Sequence, residues 1–527
     1  MKRIIKEPRF KNNEVFYFFL SLVQIIIYDI WYMKKTPFDN DKYLTIQREN
    51  ILKRISKFGD KLYLEFGGKL FDDYHASRVL PGFQPDSKLQ MLLGLKDKVE
   101  VIIVVNANDI NSNKVRGDIG ITYQEDVLRL IDTYKDRGFY VSSVIISFFQ
   151  DLPNVVEFEK QLENNGINVY KSYKISGYPQ NIPLIVSDDG LGKNEYVKTT
   201  RPLVVVTAPG PGSGKMAACL SQIYLDNKNG IRAGYAKYET FPVWNLSLNH
   251  PVNLAYEAAT VDLNDVNIID PYHLEAYGVT AINYNRDVEV FPLLKAIFEK
   301  IYGEAPYKSP TDMGVNMVGF AIRDEKAVID ASQREIVRRY YDTRLKIFLG
   351  KLPPESLEKM DILLSKAGVK PEDRKCVAKA LETQAKEGEP SEAIELANGK
   401  IITGHRSSLL GASAAVILNA LKYLAKIDKN IFLLSPSVIE PMQTMKVVHL
   451  HRSFVRLRAE EILLALSIQA NTNPLADLAI KQVSKLQGVE LHSTTVLSEV
   501  DRKTLKQLGI NVTEEPVNYQ KKLYFKG

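Results

Sequence analysis

The stretch "VVVTAPGPGSGKMAACL" (204–220) decides how the rest of the chain is read. An apolar run stops at Thr207, glycine and proline alternate from Pro209 to Gly214, Lys215 follows, and a helix-forming run begins at Met216. Strand, glycine loop, lysine and helix in that order are the parts of a phosphate cradle. Glycines let backbone N–H groups curl around phosphate oxygens, the helix N-terminus adds a positive dipole, and the lysine reaches the outer phosphates. Gly210, Gly212, Gly214 and Lys215 supply those parts, and Ser213 and Thr207 add hydroxyl donors.

The loop also departs from the full triphosphate pattern. That pattern wants glycine six residues before the lysine and Ser or Thr after it to ligate magnesium. Here the two positions hold Pro209 and Met216. Pro211 removes one further donor N–H. The dinucleotide spacing fails as well, because Lys215 stands where its third glycine belongs. The preferred reading is an anion or phosphate site without ordinary triphosphate hydrolysis. The plain alternative is a tight strand-to-helix turn with a solvated lysine.

Around this stretch, apolar runs alternate with amphipathic ones. "KLYLEF" (61–66), "VEVIIVVNAND" (99–109), "YVSSVIIS" (140–147), "PLIVSD" (183–188), "PLVVVTA" (202–208) and "RAGYAKYE" (232–239) read as strands buried on both faces. Helical stretches such as "DVLRLIDTYKDRG" (126–138) lie between them, so the expected fold is α/β with a doubly wound parallel sheet. From about 321 to 398 the pattern is helical, punctuated by Pro353, Pro354 and Pro371 near starts and Gly350, Gly368 and Gly388 near stops. After Gly399, "KIITG", a long apolar helix from Ser407, "NIFLLS" (430–435) and "RAEEILLALSIQAN" read as a smaller α/β domain. The expected division is therefore 33–320, 321–398 and 399–527.

Composition fits a cytoplasmic globular protein: 527 residues, 45% hydrophobic, 25% charged, and only two cysteines, Cys219 and Cys376. A net charge of +6 without a dense basic tract argues against nucleic acid as a partner. Residues 1–32 form an apolar leader, "EVFYFFLSLVQIIIYDIWYM" at its core. It is shorter than the ~20 apolar residues of a spanning helix and lacks a signal-peptide cleavage pattern. The leader reads as an upstream extension with Met33 as the true start, ahead of a membrane anchor or an interfacial helix.

In an open parallel sheet, ligands bind beyond the carboxyl ends of the strands. Candidates there are Asn106, Asn108 and Asp109 at the end of "VVNAND", Asp188 and Asp189 in "LIVSDDG", Lys237 and Glu239 in "AGYAKYET", and Asn283, Asn285, Arg286 and Asp287 in "AINYNRD". Asp188 or Asp189 would hold magnesium in place of the missing Ser/Thr. "EFGGKLFDDYHASRVLPGF" offers Lys69, His75 and Arg78 as anion clamps and Asp72 or Asp73 as metal ligand or base, or else a capped helix start with a solvated acidic face. "KVRGD" (114–118) reads as a basic loop closing on phosphate or as a surface turn. In "TGHRSSLLGASAA", His405 and Arg406 precede Ser407 and Ser408, placed as a helix N-cap, which suggests a second anion site or simple capping.

Long motifs carry a family resemblance: "KLYLEFGGKLFDDYHASRVLPGF" (61–83), "TRPLVVVTAPGPGSGKMAACLSQIY" (200–224), "HPVNLAYEAATVDLNDVNIIDPYHLEAYG" (250–278) and "YKSPTDMGVNM" (307–317). They are similar to a bacterial family known as domain of unknown function 1846, or uncharacterised protein family 0371, from about residue 38 onward. The resemblance implies an N-terminal α/β unit, a helical subdomain and a C-terminal unit folded like the cytidine deaminases. It brings no catalytic residue. The deaminase zinc signature is absent, since no cysteine follows Cys376. Two functions stay open at this level. One is an enzyme that uses a nucleotide, with or without magnesium, or another phosphorylated metabolite at Gly210–Lys215, in transfer or ligation. The other is a non-catalytic, homo-oligomeric assembly or regulatory protein with a structural glycine loop.

Overall fold

A computed structural model describes residues 36–518, except 60, 68, 69, 72, 117–119 and 264. The apolar leader and the side chain of Lys69 thus lie outside the described residues. Two compact units emerge: one from residues up to Tyr256 with Asp265–Ser332, the other from Glu257–Asn264 with Gln333 onward.

The first unit is built on six parallel strands: β1 (Leu62–Phe66), β2 (Val99–Asn106), β3 (Tyr140–Ser147), β4 (Asn168–Lys171), β5 (Leu203–Thr207) and β6 (Gly234–Tyr238). Their spatial order is β4-β3-β2-β5-β1-β6, with Glu65 in register between Val206 on one side and Lys237 on the other. β1, β2 and β5 are buried almost throughout, as their unbroken Val, Ile and Leu runs require. Helices α1 (Asn40–Lys57), α2 (Tyr123–Asp136), α3 (Pro153–Asn164), α4 (Lys215–Lys228) and α5 (Asn285–Tyr302) belong to this unit. So does a short antiparallel pair, β7 (Asn267–Ile269) and β8 (Ile282–Tyr284).

Two expectations about this unit are corrected. "PLIVSD" is not a strand: Pro183 cannot donate to a ladder, Asn181 caps the segment through a bond from Leu184 N (3.2 Å), and Ile182–Ile185 makes one helical turn. The sixth strand is instead β4, whose short polar text "NVYK" marks an outer position.

The second unit centres on a four-stranded sheet, order β10-β9-β11-β12, of β9 (Ser391–Glu395), β10 (Ile401–His405), β11 (Glu490–Ser493) and β12 (Asn511–Glu514). Helices α6 (Lys375–Glu387) and α7 (Ala412–Leu424) pack on it, and α8 (Ala459–Gln469) packs on α7. "NIFLLS" pairs with no strand: Leu433 and Leu434 are buried side by side while Phe432 is 76% exposed, a pattern without the two-residue period of a strand. The expected boundary at 398/399 falls inside the β9–β10 hairpin, where Ile402 pairs with Ile394. The one at 320/321 gives way to a division at 332/333, inside the helix Glu325–Phe348. Helical text at 331–388 hid the fact that β9 belongs to the later sheet. Among the described residues no helix is long and apolar enough to cross a membrane.

Candidate functional site

The connection leaving β2 runs to β3 on one side, while that leaving β5 runs past β1 to β6 on the other. The divergence opens a crevice beyond the carboxyl ends of β2 and β5, the usual place for a ligand in such sheets. The glycine loop lies there. Gly212 (φ 73°) and Gly214 (φ 87°) take left-handed backbone that a side chain would strain. At Gly210 the constraint is contact: a Cβ would run into the phenol of Tyr123, the first residue of α2.

Neighbouring strand ends hold the loop by its carbonyls. Asn106 Nδ2 donates to Gly212 O (3.2 Å), and its Oδ1 accepts from Asn108 N (2.9 Å). Ser147 Oγ donates to Ser213 O (2.6 Å). The donors are left over. Gly214 caps α4 without a side-chain bond, and Lys215, Met216 and Ala217 are first-turn residues whose N–H groups have no partner within the helix. Among the described residues, Gly210, Gly212 and Gly214 N–H also find no acceptor. Ser213 Oγ is buried without a partner. Lys215 is half-buried and has no ion-pair partner among the described residues. Such a set of donors around one lysine is a nest for an anion. Phe148, just after Ser147, has φ 51°, rare for a bulky residue, and its ring lies near the site of a Gly214 Cβ (3.6 Å).

A second group stands two strands along. Lys237 Nζ lies 2.7 Å from Asp287 and 3.1 Å from Glu239. Glu65 accepts from Tyr235 Oη (2.6 Å). Burial works against the charge on Lys237, but the carboxylates of Asp287 and Glu239 outweigh it and hold its pKa above the ordinary lysine range. Burial pushes the Glu239 carboxyl up to about 7, against the pull of Lys237 and with the help of Asp287 and Glu65. Cys219, buried in α4, feels both Glu65 and Lys215, which places this group beside the glycine loop.

Other candidates fall elsewhere. Asp188 is bound to Lys228 Nζ (2.6 Å) and Tyr224 Oη (3.0 Å), which hold its pKa low. Those partners stand nine and thirteen residues along α4 from Lys215, roughly 14–20 Å at ~1.5 Å per residue. Asp188, and exposed Asp189 beside it, therefore cannot hold magnesium on a phosphate in the loop. Asp72 lies outside the described residues; Asp73 is paired with buried Lys88 (2.9 Å). Arg78 sits in the last turn of the short helix Tyr74–Val79, and Asn108 is exposed at the crevice rim. The basic residues of "KVRGD" are engaged: Lys114 with Asp109 (3.1 Å) and Arg116 with buried Asp126 (2.7 Å).

The helix cap expected at Ser407 and Ser408 is corrected. α7 starts after Gly411, not after Ser408. Ser407 Oγ instead accepts from Leu409 N and Leu410 N in a preceding turn. Arg406 is paired with Glu389 (2.6 Å), and His405 and Ser408 are exposed. Among the described residues no three His, Cys, Asp or Glu side chains gather so as to hold a metal ion.

Sequence reading missed Glu65, Tyr123 and Ser147. Only Glu65 left a signal, a lone acid inside the apolar "KLYLEF".

Residues 36–368 match the model of the N-terminal "Domain of unknown function DUF1846", and residues 372–524 match its C-terminal counterpart. A UPF0371 protein of Streptococcus pyogenes serotype M5 is 53% identical over 494 residues, 94% of this chain and all of the relative. A UPF0371 protein of Streptococcus uberis is 54% identical over the same shares. One from Streptococcus equi subsp. zooepidemicus is 53% identical over 93% of this chain and 98% of its own length.

Proposed function

We propose that this chain, which belongs to the DUF1846 family, binds the phosphoryl group of a phosphorylated metabolite or nucleotide at Gly210–Lys215. One observation carries the reading: among the described residues, loop and first-turn N–H groups without acceptors and a Lys215 without an ion-pair partner stand together where the sheet's connections diverge. The carbonyl ties from Asn106 and Ser147 fix the loop before a ligand arrives, so little ordering is left for binding. The described residues do not suit magnesium at this loop, because Met216 replaces the usual ligand and Asp188 lies at the far end of α4. For the second unit we propose no zinc chemistry, as Cys376 is buried and no cysteine follows it.

Calorimetric titration with inorganic phosphate tests the reading. A charge-assisted bond contributes ~1.5–3 kcal/mol, so Lys215→Ala is expected to weaken phosphate binding about 10- to 100-fold. Wild-type protein that takes up no phosphate, or a Lys215→Ala variant that binds it equally well, contradicts the reading.

A further inference from the structure

We propose that the ligand of the glycine loop is an organic phosphate ester of sugar-phosphate size, held by its phosphate at one end and exchanging a proton with Glu239 at the other. The inference rests on the phosphate reading and adds where the reacting group lies. In the order β5-β1-β6, the ends of β5 and β6 are two strand spacings apart, about 10 Å at ~4.8 Å each. A phosphate in the loop is thus too far from Glu239 to react there itself. The body of the ligand would reach it.

A glycine stands beside Glu239 at the end of β1. Gly67 ends the intervening strand, its N–H bound to Tyr238 O (2.8 Å). A Cβ there would come within 2.6 Å of Glu239 Cγ and 2.9 Å of Oε1. Any side chain at Gly67 would therefore clash with Glu239 and displace its carboxyl. Within its cluster, Glu239 is also the open member: its side chain is 27% exposed, against 13% for Lys237 and 15% for Asp287. Asp287 takes the closer grip of Lys237 through both oxygens (2.7 and 2.8 Å), and Glu65 is satisfied by Tyr235. Among the described residues Glu239 keeps the 3.1 Å contact alone, which leaves it accepting capacity for a ligand.

Every element around Glu239 brings a charged or titratable neighbour: Lys237 on its own strand, Glu65 on β1, Asp287 on α5, and the phenols of Tyr256 and Tyr284. Three carboxylates share one ammonium, and Glu239, with the weakest hold on it, is the one whose charge is given up most readily. As carboxylate, Glu239 takes a proton from a carbon or hydroxyl of the ligand. The electron pair stays on the ligand as an enolate or alkoxide, and Lys237 keeps its proton. The reverse transfer restores both.

The test is titration of wild type, Glu239→Gln and Lys215→Ala with inorganic phosphate, ribose 5-phosphate and glucose 6-phosphate from pH 6 to pH 8.5. Comparing wild type with variant for each probe cancels the ionisation of the phosphate itself. The wild-type to Glu239→Gln ratio of Kd is expected to stay within about twofold for inorganic phosphate at every pH, and to change at least about fivefold across the range for a sugar phosphate. A ratio flat with pH for both sugar phosphates overturns the inference while leaving the phosphate site standing. So does a change as large for inorganic phosphate. Failure of all three probes to bind, or binding unaffected by Lys215→Ala, removes the phosphate site and this inference with it.

Discussion

Glu392→Gln is expected to stabilise the second unit by about 4 kcal/mol at pH 8 and by less than about 1 kcal/mol at pH 5. Glu392 lies in β9, 1% exposed; Ser413 Oγ donates to one oxygen (2.6 Å), and the other has no partner among the described residues. Burial pushes its pKa from 4.5 to about 8, with Ser413 opposing and Asp501 and Glu514 adding to the rise. An unfolded chain releases this proton near pH 4.5, while the folded one keeps it until about pH 8. The unfolded state is therefore favoured progressively across that window, by about 1.4 kcal/mol per pH unit, and the penalty is complete above it. Gln resembles the protonated acid in shape and never ionises, so the variant escapes the penalty. Thermal unfolding followed at pH 5, 6.5 and 8 checks it: the gain in Tm should grow with pH to roughly 10 °C. An equal shift at every pH would mean that Glu392 does not titrate in that window.

The second large effect runs the other way. Asp226→Ala is expected to cost ~3–5 kcal/mol, because it strands a buried ammonium. Asp226 is fully buried near the end of α4 and accepts from Lys61 Nζ (2.9 Å), Tyr63 Oη (2.8 Å) and Tyr196 Oη (2.7 Å). These bonds tie the far end of α4 to the start of β1, so they help set where its first turn meets the crevice. The double variant Lys61→Met/Asp226→Leu removes the stranded charge and should recover much of the loss, as replacing both members of a buried pair usually does. Urea unfolding of the single and double variants decides it. A single variant as stable as wild type would show that the cluster contributes little.

What could be read from the text was what local pattern determines. "VEVIIVVN" and "LVVVT" can only be strands buried on both faces, and "GPGSGK" announces a strand-to-helix loop because its parts are contiguous. "PLIVSD" misled because an apolar run ending in acid suits a strand end and a proline-started helical turn equally well. Only the absence of a sheet neighbour separates them. The partners of the loop were beyond reach for a different reason. Tyr123 and Ser147 come from separate elements, and only strand order and register bring them to the loop. The start of α7 failed on cap chemistry: Ser407 and Ser408 look like caps, yet Ser407 closes its own turn.

The most direct measurement of the central claim is a spectrum of protein labelled with ¹⁵N-glycine, titrated with inorganic phosphate at constant ionic strength. Saturable shifts of the Gly210, Gly212 and Gly214 amides are expected, absent with chloride and needing about 10- to 100-fold more phosphate in Lys215→Ala. Phosphate that leaves those three amides unmoved, or moves only glycines of the second unit, contradicts the claim.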